Sequence, residues 1–539
     1  LDFGGLIVDE IAQIEVLRGP QSALWGSNAT AGVISIITKQ GRRNDLVGTA
    51  DGEVGFDGSY AGRLALRGGV ERADFALSAA YRFSAGHDVS DTAGGQDDED
   101  ENVTLNAKGN VDVTDWIGLG GTLRYTHRES DFDPQDFNGD FSVFPPIVGP
   151  TYGLVIEGDN VRTTDEFYGS LFAEVTTLGG LLIHRPRVEY TAVDDENTDA
   201  GVRTSGSEGQ RLHLSHQTTA VFDTPSFAGA SHQLTAAIEY ERETNQNLPP
   251  ASGTQLTERE REQVGFIGEY RGSFFDRLDL QFGLRHDRND AFDDATTYSV
   301  SGALQLAEAT QLYGSVGTGV TNPTFSEQFG FFPDFFIGNP GLTPEKSFGW
   351  DVGLRQSLFD GKLSADIAYF DATLEDEIFT RFLPGFLSTP DNRDGESERR
   401  GVEVGLTAQP FDFLSLTAAY TYTDSKEISG GRLVGEVRRP LHTASLSATA
   451  TGLDGRGQLT VDVIYNGQML DFDFTDPVLG SVRTDLDAYT LVNLNASYEI
   501  FEGAEIVGRV ENVFDQDYQE VFGYAAPGVT AFVGFRASY

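Results

Sequence analysis

Cysteine is absent from this 539-residue chain. No disulfide framework, thiolate-bound metal or cysteine nucleophile can therefore be built from it. Basic residues are scarce: 38 Lys and Arg stand against 83 Asp and Glu, a formal net charge of −45. That argues against a nucleic-acid partner, whose phosphates are held by neutralising Lys and Arg. Methionine occurs once. No apolar run approaches the roughly 20 residues of a membrane helix. The opening Leu1-Asp2-Phe3-Gly4-Gly5 does not read as a signal peptide. A membrane is not thereby excluded. A transmembrane barrel shows lipid only every second residue, so its strands never look apolar as runs.

What is present is alternation. Leu414, Leu416, Ala418, Tyr420 and Tyr422 share one face, with Ser415, Thr417, Ala419 and Thr421 opposite. Leu363, Ala365, Ile367 and Tyr369 oppose Ser364, Asp366 and Ala368. The period is two, the strand period. Each stretch runs about ten residues or more, against about five or six in an ordinary soluble strand. The pattern predicts 22 strands: 46–56, 58–70, 72–84, 102–113, 116–130, 164–177, 181–193, 210–223, 230–243, 258–272, 276–289, 295–307, 310–318, 346–358, 362–381, 395–408, 412–424, 439–451, 455–468, 486–499, 503–513 and 529–539.

The connections sort by parity. Those after even-numbered strands are tight, as at Glu71, Thr114-Asp115 and Phe359-Asp360-Gly361. Most after odd-numbered strands are long: 85–101, 131–163, 194–209, 244–257, 319–345, 382–394, 425–438, 469–485 and 514–528, with exceptions near residues 57 and 291. A soluble sandwich has no reason to sort its loops this way, whereas a membrane barrel has short periplasmic turns and long outer loops. Closure also removes the unpaired edges of so long a sheet. The expected fold is all-β: a 22-stranded antiparallel transmembrane β-barrel over residues 46–539. A barrel that wide needs a plug in its lumen. Residues 1–45 hold the candidate. Ile14 to Leu17 and Val33 to Thr38 read as strands, and Ser22 to Trp25 as one helical turn closed by Gly26.

The run Ile14-Glu15-Val16-Leu17-Arg18-Gly19-Pro20-Gln21-Ser22-Ala23-Leu24-Trp25-Gly26, with Ala31-Gly32-Val33-Ile34 and Ile36-Ile37-Thr38-Lys39, resembles the end of the plug domain of TonB-dependent outer-membrane receptors. Asn339-Pro340-Gly341-Leu342-Thr343-Pro344-Glu345 resembles the family's motif before a mid-barrel strand. Glu511-Asn512-Val513-Phe514-Asp515-Gln516-Asp517-Tyr518 resembles its closing strands. The resemblance spans the chain and is strongest to the cobalamin-receptor branch. It implies a Gram-negative outer-membrane receptor, not an enzyme, that binds a scarce, bulky nutrient at its outer loops. The energy-coupling protein TonB then pulls on the plug. A monomer ringed by outer-membrane lipid and lipopolysaccharide is expected, with both ends of the chain periplasmic and no required cofactor. Family plugs are longer than residues 1–45 and carry a TonB-contacting box. The expectation is that the chain is a fragment lacking that part.

Residue roles follow. Glu15, Arg18, Gly19, Pro20, Gly26 and Gly32 form the plug motif, with the three glycines at tight turns. Arg18 reads as a buried cation that needs a partner. The resemblance suggests barrel-wall glutamates, with Glu345 and Glu403 as candidates. Tyr420, Tyr422 and Tyr465 read as lipid-interface girdle residues. Phe325, Phe329, Phe331, Phe332, Phe335 and Phe336 concentrate in the seventh loop. They suit a bulky ligand, or packing within the loop. Of these, Phe331, Phe332, Phe335 and Phe336 are the ligand-contact candidates. Acidic residues crowd the second and third loops, with Asp97, Asp98, Asp100, Asp131 and Asp133 as candidate Ca²⁺ ligands. A solvated acidic surface fits the same residues. The ligand expected from the resemblance is cobalamin or another corrinoid, ahead of a ferric siderophore. A passive porin and a barrel enzyme are the rival classes. Porins lack the Arg18-Gly19-Pro20 unit, and no catalytic motif appears. The eight histidines are scattered.

Overall fold

The computed structural model describes residues 11–90, 95–140, 146–253, 256–331, 336–383 and 387–539. The chain opens on an antiparallel hairpin of β1 (Ile11–Arg18) and β2 (Gly32–Thr38), in register Ile14↔Ile36 and Arg18↔Gly32. Between them lies α1 (Ser22–Trp25). Alternating β-branched residues favour the extended chain on both sides of this unit.

Residues 46–538 form a closed, antiparallel, 22-stranded barrel. Closure joins the first strand, Leu46–Gly55, to the last, Thr530–Ser538, with Gly52 opposite Phe535. Arg432–Gly435 and His442–Gly452 are two pieces of one strand, because both pair with Leu414–Ser429. Every predicted strand is present, and both ends of the barrel wall lie at its short-turn end.

Burial is inverted relative to a soluble fold. Leu64, Leu66, Leu77, Leu105, Leu123, Leu171, Ile238, Ile367 and Phe535 are exposed on the outer face. Arg63, Ser78, Asn102, Thr104, Thr126, Arg285 and Asp287 are buried toward the lumen. An apolar band outside and polar side chains inside is the arrangement a lipid bilayer selects. Tyr420 and Tyr465 are exposed on that outer face, and the Tyr420 hydroxyl lies 2.9 Å from Nδ1 of His442.

The structure corrects several boundaries: the connection 425–438 is largely strand, since Leu414–Ser429 runs on to pair with Arg432–Gly435, and 469–485 holds the paired strands Met469–Asp476 and Gly480–Leu486. Residues 194–209 are not a long loop. Strands Leu182–Asp199 and Val202–Thr224 run on to a two-residue turn at Ala200-Gly201. This segment is polar on both faces, so the alternation fades while the hydrogen-bond ladder continues into water. With 23 residues, Val202–Thr224 is about twice the 9–11 a tilted membrane strand needs. Nor is 362–381 one strand. The strand stops at Glu375, Asp376 takes a positive φ of 57°, and a separate hairpin of Ile378–Leu383 and Leu387–Asn392 follows.

The barrel seam carries its own ion pairs. The Arg63 guanidinium donates from Nε to Asp51 Oδ2 at 2.9 Å, and Arg536 Nε donates to Asp51 Oδ1 at 2.8 Å. Asp51→Ala strips both arginines of a shared acceptor, one of them buried. The expected cost is about 1–3 kcal/mol. The measurement is the temperature at which the folded, fast-migrating gel band converts to the unfolded one; an unchanged temperature counts against a stabilising seam.

Candidate functional site: the plug hairpin and the long-loop cap

The hairpin β1–β2 and its connecting turn sit in the lumen. Gly19 and Gly26 have φ of 72° and 81°, and a Cβ on Gly32 would lie 2.6 Å from the Leu17 carbonyl oxygen. Each position is thus closed to a side chain for its own reason. α1 lies against the strands Leu278–Asn289, Ala295–Ala307 and Thr310–Thr321. A Cβ on Gly26 would stand 3.3 Å from Arg285 Nη2. Pro20 packs so close to the wall that a Cβ on Gly349 would meet its Cδ at 2.9 Å. Glu15 is exposed and accepts a hydrogen bond from Gln13 Nε2 at 2.8 Å.

Arg18 pairs with Glu403, one of its two candidate partners. The expectation of a buried cation is corrected, since the Arg18 side chain is 61% exposed. Glu345 shares the lumen face of its strand with Ser347, whose Oγ donates to the Thr30 carbonyl of the plug at 3.0 Å, but it is engaged elsewhere. Its carboxylate accepts the Ile378 N–H at 2.7 Å and caps the small hairpin that follows its neighbouring strand.

Beside α1 lies a cavity of about 800 Å³ between Trp25–Asn28 and the wall. Its wall side chains are charged and mutually paired. Arg285 holds Glu239 at 2.6 Å and Asp287 at 2.8 Å. His213 faces Glu189 at 3.0 Å and Glu239 at 3.8 Å. Both imidazole nitrogens thus meet carboxylates rather than a hydroxyl nucleophile, which makes the group a counter-ion.

At the long-loop end, the seventh loop contains a helix that the sequence reading missed, α2 (Phe325–Phe329). Its signal was legible: Thr324 and Glu327 form a reciprocal capping box. Arg261 lies 4.6 Å over the Phe325 ring and Arg259 lies 4.4 Å over Phe329. The Phe331 and Phe336 rings meet at a tilt with centroids 4.8 Å apart, and Phe331 is exposed. Phe332 and Phe335 lie outside the described residues. The loop thus packs partly on itself while leaving Phe329 and Phe331 open.

The acidic loops converge on a different set from the predicted one. Among the described residues, carboxylate oxygens of Asp88, Asp133 and Glu157 lie within 4.8 Å of one another. Asp133 is 6% exposed; its Oδ1 accepts the Gly158 N–H at 2.9 Å, and its Oδ2 has no partner. Burial, then the charges of Asp133, Asp131 and Glu157, push Asp98 up to about 6. Asp100 is committed elsewhere, to Arg82 at 2.9 Å and to Arg128. Asp97 is exposed. Asp88 lies in the acidic second loop and Glu157 at the far end of the third, and neither was singled out.

Residues 41–513 match the family described as TonB dependent receptor-like, beta-barrel. The chain is 27% identical over 529 residues to the vitamin B12 transporter BtuB of Photobacterium profundum, covering 96% of this chain and 78% of the relative. It is 25% identical over 520 residues to the BtuB of Vibrio vulnificus, covering 94% and 76%. The siderophore receptor PirA from Acinetobacter baumannii superposes with a TM-score of 0.80 at 15% identity, covering all of this chain and 87% of PirA. With the closed barrel and the plug hairpin already in place, the match over 41–513 leads to one assignment: this chain belongs to the TonB-dependent receptors of the Gram-negative outer membrane.

Proposed function

We propose that this receptor imports a corrinoid, most simply cobalamin, across the outer membrane, with TonB supplying the pull on the plug. The observation that carries the reading is likeness to two vitamin B12 transporters over more than nine-tenths of the chain. The geometry suits the task. The long-loop end, taken as extracellular, offers exposed Phe329 and Phe331 beside Arg259, a surface for a large ring system. Both ends of the barrel wall then face the periplasm, where a coupling protein reaches the plug. Lipid and lipopolysaccharide cover the outer face of a monomeric barrel.

Asp88, Asp133 and Glu157 fit a calcium ion. They are hard oxygen donors brought together from two loops, and the buried Asp133 Oδ2 needs a cation or a proton. Bound calcium would offset most of the charge of the three carboxylates and tie the second loop to the third. The plug is held by contacts that force can undo. Arg18 and Glu403 are screened by lumen water, so their pair contributes about 0–1 kcal/mol.

A second reading is a ferric-siderophore receptor. The aromatic and cationic shelf of Phe325, Phe329, Arg259 and Arg261 also suits an anionic aromatic chelate.

Cyanocobalamin binding to the detergent-solubilised receptor, titrated with and without Ca²⁺, separates these readings. Tight binding strengthened by Ca²⁺ is expected. Failure to bind in either condition, with tight binding of a ferric catecholate chelate, reverses the order. Asp133→Asn is expected to weaken Ca²⁺ binding by about tenfold or more, roughly 1.4 kcal/mol, read by calorimetry without ligand. Equal Ca²⁺ affinity in the variant removes the proposed site.

Glu403→Gln is expected to move the urea midpoint for plug release only slightly, in line with an exposed pair. Glu345→Gln is expected to leave it unmoved. A large shift on Glu345→Gln reverses the assignment of partners.

A further inference from the structure

The plug hairpin is stitched to one strand of the wall, and that strand leads straight into the aromatic helix. The Asn28 N–H donates to the Val320 carbonyl at 2.9 Å. The Val320 N–H donates to Ser22 Oγ at 3.1 Å, and the Asn322 N–H donates to Ser27 Oγ at 3.0 Å. Thr30 and Thr321 hydroxyls meet at 3.2 Å. Contact is close because the wall has no side chain there: a Cβ on Gly319 would lie 2.7 Å from Thr30 Cα.

From Asn322 the path upward is equally tight. Pro323 is fully buried, and its carbonyl accepts from Arg261 Nη1 at 2.7 Å. The same guanidinium covers Phe325, and Thr324 caps α2. The far end of α2 is held by Asn247 Nδ2, which donates to the Gly330 carbonyl at 2.7 Å. One residue, Pro323, separates the last plug-bonded amide from the helix cap.

We propose that Ser22 and Ser27 of the plug are positioning residues for α2, so that the seated plug holds the aromatic segment in its binding shape and plug withdrawal releases it. Ligand release at the outer face and opening of the lumen would then be one event. Strand Thr310–Thr321 is the connecting element. When the hairpin leaves, the amides of Val320 and Asn322 lose their acceptors together, at the foot of the helix cap. The link to ligand rests on the reading that α2 contacts it; the link between plug and α2 does not.

The test is hydrogen–deuterium exchange of the ligand-free receptor in detergent, comparing residues 322–331 with 469–486, where Met469–Asp476 and Gly480–Leu486 pair as a hairpin of another long connection. Ser27→Ala removes one acceptor, and Gly319→Val wedges a side chain against Thr30. Both are expected to speed exchange in 322–331 by about tenfold with 469–486 unchanged. No change in 322–331 in both variants overturns the proposal, as does an equal rise in both regions, which marks general loosening. Cyanocobalamin affinity of Ser27→Ala is expected to fall with the same change. If cyanocobalamin binds neither wild type nor variant, the ligand reading fails while the exchange result still decides the coupling.

Discussion

The constraint on which this structure depends is the backbone hydrogen bond in a medium without water. A strand in hydrocarbon has no solvent to satisfy a free N–H or C=O. The sheet must therefore close on itself, as Leu46–Gly55 does on Thr530–Ser538. Closure dictates the rest. It makes strand number even, so the wall begins and ends at one rim. It inverts burial, with leucines outside and arginines inside. It also creates a lumen wide enough to need a gate, which is where the hairpin β1–β2 finds its place.

The lumen is wet, and its charges are arranged accordingly. Glu239 is shared between Arg285 and His213, and Asp51 between Arg63 and Arg536. Pairing of this kind fixes neighbouring strands relative to one another without leaving a strong field to trap a passing ligand. Asp88, Asp133 and Glu157 face one another, and their mutual repulsion with Asp98 is the electrostatic opposite of the Asp51 seam. In the first case protein cations complete the site; in the second lies the cluster proposed above for calcium.

Much of the fold was legible because lipid and lumen impose opposite chemistries on alternate residues. Ile367 and Tyr369 face out while Asp366 and Ala368 face in, as the period of two required. The reading failed where that contrast vanishes. Beyond the membrane both faces of Asp194 to Glu208 meet water, so a strand there looks like a loop. The candidate site was less legible. Glu403 came from a resemblance, and the structure sets it against an exposed rather than a buried plug arginine. Glu157 joins Asp133 only through loop folding, which no local pattern encodes.

The barrel and the plug hairpin are held by interactions of different kinds, and function needs that difference. Each barrel strand is bonded to a neighbour on both sides over most of its length, so its ladder opens only cooperatively. The hairpin β1–β2 is a two-stranded sheet bonded to the wall by Asn28, Ser22, Ser27, Thr30 and a water-screened Arg18–Glu403 pair. An isolated hairpin is marginal on its own, and each such contact contributes about 1 kcal/mol or less. A pull along the chain meets these contacts a few at a time, while the barrel resists as a unit. A gate that opens under force inside a wall that does not follows from that ordering of strengths.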